Sequence, residues 1–324
     1  MLSRESTGIP EGEARSLVRD LDPDAKFEIP EDGLLVAETT ADPSAVESRV
    51  AFSRRVGTLL PDGKVDGENL SLLRRGTYRV RVFGEGDGGE RDEAIISLVA
   101  EKVEGNVSLK NPDREVSAYV TRGGKTYFAI TMPGSMRQGW VTRRPRSRAF
   151  FHPSAIFPKL SRALVNLSGV QPGETFLDPF CGTGSLLIEA SIIGAEPIGV
   201  DLARKMVRGA RRNSIKYEQP WLGIVRADAR RLPISKVAAI ATDIPYGRAS
   251  SAGGLKSGDI LRWLIEGAPK VIAQGRKLVV MHPKSLEVGP ILEDVAGLRV
   301  EQEHEIYIHR TLTRTITVLR REAA

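Results

Sequence analysis

The chain has 324 residues, 41% of them hydrophobic, and carries a net charge of +6 with a pI near 9.4, which is length enough for two or three domains of ordinary composition. No apolar run approaches the ~18 residues of a membrane span, the N-terminal MLSRESTGIP lacks the apolar core of a secretory signal, and the single Cys181 excludes an intramolecular disulfide or a thiolate zinc cluster. Residues 1–48 hold 4 basic and 12 acidic side chains, leaving +14 on the rest. That asymmetry suggests a polyanion partner, against the plainer reading of a solvated surface. With four histidines at no ligand spacing, the expectation is a cytoplasmic protein with no metal site.

Residues 1–60 read as a small α/β piece. Ala14 to Leu21 predicts a short amphipathic helix and Gly33 to Thr39 a strand. Ser44 to Leu60 has helical spacing in Ala45, Val46, Val50, Phe52 and Val56, with Ser44 as N-cap. Residues 61–135 read as a second module. Thr77 to Phe83 alternates as a strand with one basic face, GEGDGGE is a turn, and Arg91 to Val103 is an amphipathic helix. Strands follow at Val107 to Leu109, Glu115 to Val120 and Thr126 to Thr131, separated by the NPD and GG turns. This α+β order contains no paired carboxylates, nucleophile or metal cluster, so it predicts binding or scaffolding. Residues 77–131, with VSLKNPDREVSAYV and GGKTYFAIT, resemble the THUMP domain of RNA-modifying enzymes. The resemblance implies tRNA binding at the acceptor end.

Residues 136–150 form a basic linker. RQGWVTRRPRSR holds five arginines, stiffened by Pro145 and given an aromatic face by Trp140. Arg143, Arg144, Arg146 and Arg148 read as phosphate contacts, since arginine matches phosphate in a fork geometry, or as the wet side of a linker. From 151 to 324 the pattern is a doubly wound sheet. Phe150 to Val170 is a turn and a helix whose start can lie over a ligand. His152 there reads as structural. Glu174 to Asp178 is a strand feeding a Gly182-Thr183-Gly184 loop and a helix from Ser185 to about Ile193. Strand Pro197 to Val200 ends in Asp201, then come a helix from Ala203 to Tyr217 and a strand ending in Asp228 and Ala229. Arg204, Lys205, Arg208, Arg211 and Arg212 either steer RNA or form that helix's solvent face. Strand Val237 to Thr242, helix Asp259 to Ile272, strand Lys277 to Met281, a helix near Leu286 to Val295 and two closing strands, Arg299 to His309 and Thr315 to Leu319, complete the order.

The glycine loop lacks the third glycine of the dinucleotide fingerprint, since Leu187 stands there. Asp178 would repel a pyrophosphate but suits an ammonium, while the helix start suits a carboxylate. The methionine part of S-adenosylmethionine has both. Asp201 has the spacing of a carboxylate that meets ribose hydroxyls. Asp178, Pro179, Gly182, Gly184, Asp201, Leu202, Asp228 and Ala229 are the candidate cofactor residues.

Asp243-Ile244-Pro245-Tyr246 ends the strand AAIATD, where ligand chemistry sits in open α/β sheets. It resembles the Asp-Pro-Pro-Tyr motif of methyltransferases that act on exocyclic base amines. An aryl amine is a poor nucleophile because its lone pair is delocalised into the ring. The Asp243 carboxylate and the Ile244 carbonyl can grip its N–H groups and localise that pair, and Tyr246 can stack on an extruded base. Ile244 replaces the family's proline. The acceptor is a backbone carbonyl either way, and the expectation is that Ile244→Pro preserves activity.

Taken with RAFFHPSAIFPKLSRALVNLSGV, DPFCGTGSLLIEA, GVDLARKMVRGARRN, TDIPYGR and HRTLTRTITVL, the chain resembles the archaeal and eukaryotic THUMP methyltransferases acting on the 2-amino group of guanosine 10 in tRNA. The resemblance implies a class I methyltransferase domain with a seven-stranded α/β sheet and a terminal antiparallel hairpin. It implies S-adenosylmethionine as cofactor, an Asp228 that bonds the adenine amino group, and tRNA as partner. Guanosine 6 of tRNA, a ribosomal guanosine, an adenine amine in DNA, or an inactive RNA-binding protein with Ile244 as its lesion remain the alternatives. One or two methyl transfers, oligomeric state and an accessory subunit are not legible in the sequence.

Overall fold

A computed structural model describes the chain except for residues 7, 74–75, 85–87, 104, 132–138, 220–222, 232–233, 235, 247–255, 310–311 and 323–324. Arg137, the centre of the GEGDGGE turn, the residues from Gly247 onward in the TDIPYGR motif, and Arg310 and Thr311 of the HRTLTRTITVL stretch lie outside the described residues. Two compact units emerge, one of residues 1–3, 21–48 and 53–138, the other of residues 4–20, 49–52 and 139–324.

These limits differ from those expected of the sequence. Helix α1 (Ile9–Leu21) belongs almost wholly to the second unit, not to an N-terminal piece. Its Ile9 and Leu17 are buried, and its Ser16 accepts a hydrogen bond from Lys277 at 3.1 Å. Its fully buried Glu13 accepts hydrogen bonds from the amides of Ala51 (2.9 Å) and Phe52 (2.8 Å) and from Asn166 (2.7 Å). Those bonds also explain why the helix expected over residues 44–60 stops early. The amides of Ala51 and Phe52 are committed to a carboxylate rather than to carbonyls one turn back, and an α-helix cannot continue without them. In the first unit, hairpin strands β1 (Lys26–Glu31) and β2 (Leu34–Glu38) precede this helix, α2 (Pro43–Arg49), and the rest of the predicted span becomes irregular chain and strand β3 (Gly57–Leu59). Asp42, not Ser44, accepts the first free amide, that of Ser44, at 3.0 Å.

The first unit continues as β4 (Thr77–Gly84), α3 (Gly89–Ala100), β5 (Asn106–Val107), β6 (Arg114–Val120) and β7 (Thr126–Thr131). Its sheet order is β3-β7-β6-β4-β5, with β4 parallel to β5 and β6. Leu60, Leu73, Tyr78, Val99, Val116 and Phe128 form its core. The basic face expected of β4 is real but partly engaged: Arg79 and Arg81 lie 2.6 and 3.4 Å from the buried Glu115, which Arg55 also meets at 2.6 Å.

The second unit carries α4 (Pro158–Leu167), β8 (Thr175–Asp178), α5 (Ser185–Ile192), β9 (Glu196–Asp201), α6 (Arg204–Lys216), β10 (Gly223–Arg226), β11 (Ala239–Asp243), α7 (Ser257–Val271), β12 (Lys277–Pro283), α8 (Gly289–Leu292), β13 (Leu298–His309) and β14 (Leu312–Arg321). Seven strands form one sheet in the order β10-β9-β8-β11-β12-β14-β13, in which only β14 runs antiparallel to its neighbours. β8, β11 and β12 are near-continuous apolar runs, as strands covered on both faces must be. The chain leaves β8 toward β9 on one side and later returns to β11 on the other. The crevice beyond the ends of β8 and β11 is therefore the topological switch point.

Candidate functional site

Four aspartates stand in a row along that edge. In spatial order they are Asp228 just after β10, Asp201 ending β9, Asp178 ending β8 and Asp243 ending β11. All four line one cavity of about 700 Å³. Pro179, Gly182, Leu202, Ala229, Ile244, Pro245 and Tyr246 line it as well, as do His152 to Ile156 from the segment expected to lie over a ligand. Gly184 is not among the lining residues. Its role is to turn the chain into α5 at φ +80°, which a residue with a Cβ rarely adopts.

The missing third glycine has a structural answer. In the dinucleotide fingerprint that glycine lets the helix approach the strand. Here the approach is provided from the strand side. A Cβ on Gly199 of β9 would lie 2.3 Å from Leu187 Cδ1 and 3.0 Å from Cys181 Sγ, so the leucine occupies the space that the strand's glycine leaves.

Asp178 is buried and accepts hydrogen bonds at Oδ1 from the Thr242 hydroxyl (2.6 Å) and the Phe180 amide (3.1 Å). Burial pushes its pKa up to about 7 against those bonds, and the charges of Asp243 and Asp201 push the same way. Asp201 accepts from the Gly182 amide at 3.0 Å and the Ala203 amide at 2.7 Å, and burial raises its pKa too. Asp228 is held down to about 2 by hydrogen bonds from Arg230. Burial also raises Asp243, to about 6, while its ion pair with Arg314 pulls it back.

Burial raises three carboxylates around one cavity, and the central Asp178 is raised further by the charges of the other two, so the site favours the arrival of a cation. The donor set therefore fits a ligand with an ammonium or sulfonium charge and with hydroxyl groups. S-adenosylmethionine is such a ligand: Asp178 would take the ammonium and Asp201, with a lone pair to spare on each oxygen, the ribose. Among the described residues no group of three or more His, Cys, Asp or Glu side chains is placed to hold a metal ion. Burial pushes the Cys181 thiol up, which leaves it without thiolate character.

The four linker arginines separate into two pairs. Arg144 and Arg146 are exposed. Arg143 and Arg148 are buried and do not form a phosphate-facing surface, contrary to the expectation. Arg143 is paired with Glu189 of α5 at 2.7 Å, and Arg162 of α4 meets the same carboxylate at 2.8 Å. Arg148 donates to Ser185 (2.6 Å) and Thr183 (3.3 Å) and to the Ile156 carbonyl (2.9 Å), so it braces the glycine loop from inside. Burying a guanidinium is costly unless its donors are used, and this segment folds onto the sheet unit because they are. The α6 cluster of Arg204, Lys205, Arg208, Arg211 and Arg212 is exposed opposite the buried Val207, Ala210 and Asn213.

Three contributors do not stand out in the sequence. Thr242 orients Asp178, and its signal is a polar residue inside an apolar strand. Phe180 and Trp263 form an edge-to-face pair in the cavity wall, with ring centroids 6.2 Å apart. Arg314 lies with its guanidinium 4.0 Å from the Tyr246 ring centroid. It lies on the same strand face as Ile316 and Val318, in a strand buried on both faces from 316 to 319, and its signal is a charge leading into an apolar run.

Residues 145–316 match the UPF0020 family, described as an RMKL-like methyltransferase domain. The tRNA (guanine(10)-N2)-dimethyltransferase of Methanothermobacter thermautotrophicus is 30% identical over 99% of this chain and 98% of its own. The enzyme of the same name from Methanocaldococcus jannaschii is 35% identical over 71% of this chain and 64% of its own. The crystal structure of TrmN from Thermus thermophilus is similar with a TM-score of 0.50 at 20% identity, covering 99% of this chain and 98% of that one.

Proposed function

The chain belongs to the UPF0020 family of RMKL-like methyltransferase domains, and from that premise we propose that it methylates the exocyclic 2-amino group of guanosine 10 in tRNA. The methyl donor is S-adenosylmethionine, which supplies an electrophilic methyl group next to a positive sulfur. The observation that carries the reading is the position of Asp243, Ile244 and Tyr246 at the end of β11, beside the three acids that face the cofactor. The guanosine address rests on the resemblance and on what the relatives are named for.

The residues act as follows. Asp178 holds the donor's ammonium and Asp201 its ribose, with Arg148 and Thr242 fixing the loop and the carboxylate that do so. Asp243 and the Ile244 carbonyl accept the two N–H groups of the amine, so that its lone pair turns out of the ring's π system toward the methyl group. Asp243 takes the proton that the amine sheds. A carboxylate whose pKa is lifted to about 6 is a better proton acceptor than one at 3.8, and it is still ionised at neutral pH. Tyr246 offers its ring to the extruded base, and the Phe180–Trp263 pair keeps the cavity wall apolar. The first unit, whose residues 77–131 resemble a THUMP domain, and the exposed Arg144 and Arg146 supply phosphate contacts to the tRNA.

The test is methylation of a tRNA transcript, followed by nucleoside mass spectrometry and mapping. N2-methylguanosine or its dimethyl form at position 10 is expected, and a transcript with adenosine at position 10 should be inert. Label at guanosine 6 in both transcripts would reassign the target, and no label in any transcript would sink the enzymatic reading. Among the described residues no helix is long and apolar enough to cross a membrane.

A further inference from the structure

Arg314 belongs to β14, the antiparallel strand beyond β12, and so comes from outside the strand that bears the reactive turn. The register explains its reach. Asp243 pairs with Met281 of β12, and Arg314 pairs with Pro283 two residues further along. The side chain, only 1% exposed, therefore runs back beneath the end of β11. There it forms an ion pair with Asp243 Oδ1, donates to the Met281 carbonyl at 3.1 Å and the Ile244 carbonyl at 3.4 Å, and lies over one face of the Tyr246 ring, 4.0 Å from its centroid. One guanidinium thus touches the acid, the carbonyl acceptor and the stacking ring.

We infer that Arg314 is the positioning residue of this turn: it commits one oxygen of Asp243 and leaves the other free for the amine, aims the Ile244 carbonyl at the same point, and backs the face of Tyr246 that a base does not use. This rests on the reading that Asp243 and Ile244 receive an amine. A carboxylate has about four lone-pair sites and a carbonyl two, so each group can bond Arg314 and still accept an N–H. All three acceptors are met by one nitrogen, Nη2, while the guanidinium as a whole sits against the Tyr246 ring, a combination that a lysine ammonium does not offer. A cation under one ring face is also a favourable arrangement.

The charge has a second consequence. The groups facing Asp243 are Asp178 on β8 and Arg314 on β14, while His282 on β12 is itself held down by burial and by Arg314. Arg314 is the cation that opposes the burial of Asp243, and without it a larger share of the acid would hold its proton at neutral pH and be lost as an acceptor.

The experiment reads the Asp243 carboxyl directly, by NMR of protein with ¹³C-labelled aspartate, the resonance being assigned through Asp243→Asn. In Arg314→Met, the titration midpoint should rise by about one pH unit or more, the size expected when a close opposite charge is removed. The acid limb of kcat should move with it, kcat at pH 7 should fall by at least the roughly twofold that a one-unit rise from about 6 gives through protonation, and activity should return in part at higher pH. In Arg314→Lys, the midpoint should stay near that of wild type while kcat falls, because charge is kept and the planar group against Tyr246, with its Nη2 among the three acceptors, is lost. S-adenosylmethionine affinity should hold in both variants, which also shows that they are folded. An unmoved midpoint in folded Arg314→Met, or a loss of kcat equal at every pH, overturns the inference. If Arg314→Met does not fold, wild-type kcat in Arg314→Lys overturns it and a lower kcat at an unmoved midpoint supports it. A wild-type protein that fails to methylate guanosine while the midpoint still shifts would refute the substrate and leave the positioning role standing.

Discussion

Binding of S-adenosylmethionine should release a proton, and Asp178 is the group that makes it do so. In the ligand-free protein, burial holds its pKa at about 7. An ammonium beside it would restore the ionised form and bring the pKa back toward its ordinary value of 3.8. The direction follows from linkage: the ligand prefers the deprotonated acid, so the Asp178 contribution to affinity is full above about pH 7, as long as the ligand's amine stays charged, and falls as pH drops through it. A free pKa of about 7 means that roughly half a proton leaves at pH 7 and nearly a whole one at pH 6. Affinity should then fall about fivefold from pH 7 to 6 and approach tenfold, or ~1.4 kcal/mol, from pH 6 to 5. The ligand's own α-amino group, with a pKa near 7.7–8.0, stays charged through that window. Calorimetry in two buffers of different ionisation enthalpy counts the protons. Asp178→Asn keeps an acceptor for Thr242 and the Phe180 amide but cannot titrate, so most of the pH slope should vanish, with an affinity loss at pH 8 of about 1.5–3 kcal/mol for one charged hydrogen bond. Affinity independent of pH between 5 and 7, or an unchanged slope in Asp178→Asn, would refute the assignment of the ammonium to Asp178.

Asp243→Asn should cut kcat by about 10²–10⁴-fold, the usual contribution of an oriented general base, while isothermal titration shows cofactor binding retained. A variant that turns over at the wild-type rate would end the amine mechanism. Arg143→Ala should destabilise the protein by up to about 3–5 kcal/mol, the cost of breaking a buried pair, tempered because Arg162 still holds Glu189. Urea unfolding reads this, and a midpoint equal to wild type would contradict it. The double change Arg144→Ala and Arg146→Ala should leave that midpoint alone and flatten the salt dependence of tRNA binding, with the slope changing by about one for each phosphate that is no longer neutralised. Ile244→Pro should lower both stability and kcat. The Ile244 amide donates to the Met281 carbonyl at 3.1 Å, a bond worth about 0.5–1.5 kcal/mol that proline cannot make, so wild-type stability in that variant would show the bond to be idle.

The catalytic half is legible because its signals are local. Each strand that ends at the cavity is a short apolar run closed by an aspartate, and each helix that follows has its own period. The sheet order then follows from few choices, since parallel crossovers are short and right-handed. The first sixty residues mislead for the opposite reason. Val50 and Phe52 are buried, as their helical spacing suggests, but the core that Phe52 joins belongs to the sheet unit and is reached through an irregular stretch. What ends the helix is Glu13, a carboxylate far along the chain whose burial no local pattern announces. The same holds for the linker. Arg143 and Arg144 are neighbours of identical type, and only Glu189, a charge inside the otherwise apolar run SLLIEASI, distinguishes the buried one from the exposed one. A lone acid in such a run asks for a cation, and that demand is the sequence signal for a buried arginine.

Residues that look like defects in the site turn out to depend on the next strand over. Leu187 departs from a glycine fingerprint, yet Gly199 on β9 opens the space it fills. Ile244 departs from a proline motif, yet its amide bonds Met281 on β12 and its side chain is fully buried beside Ile260 and Val288. In both places the requirement is geometric, close approach in one and a fixed carbonyl direction in the other, and either of two strands can meet it. Proline would fix the turn through its ring, whereas isoleucine fixes it through a hydrogen bond and core packing, with Arg314 holding the carbonyl from below. The substitution is therefore weak support for an inactive enzyme. The acceptor atom is the same, and it is held by a backbone bond to β12, by core packing and by Arg314 of β14 rather than by a proline ring.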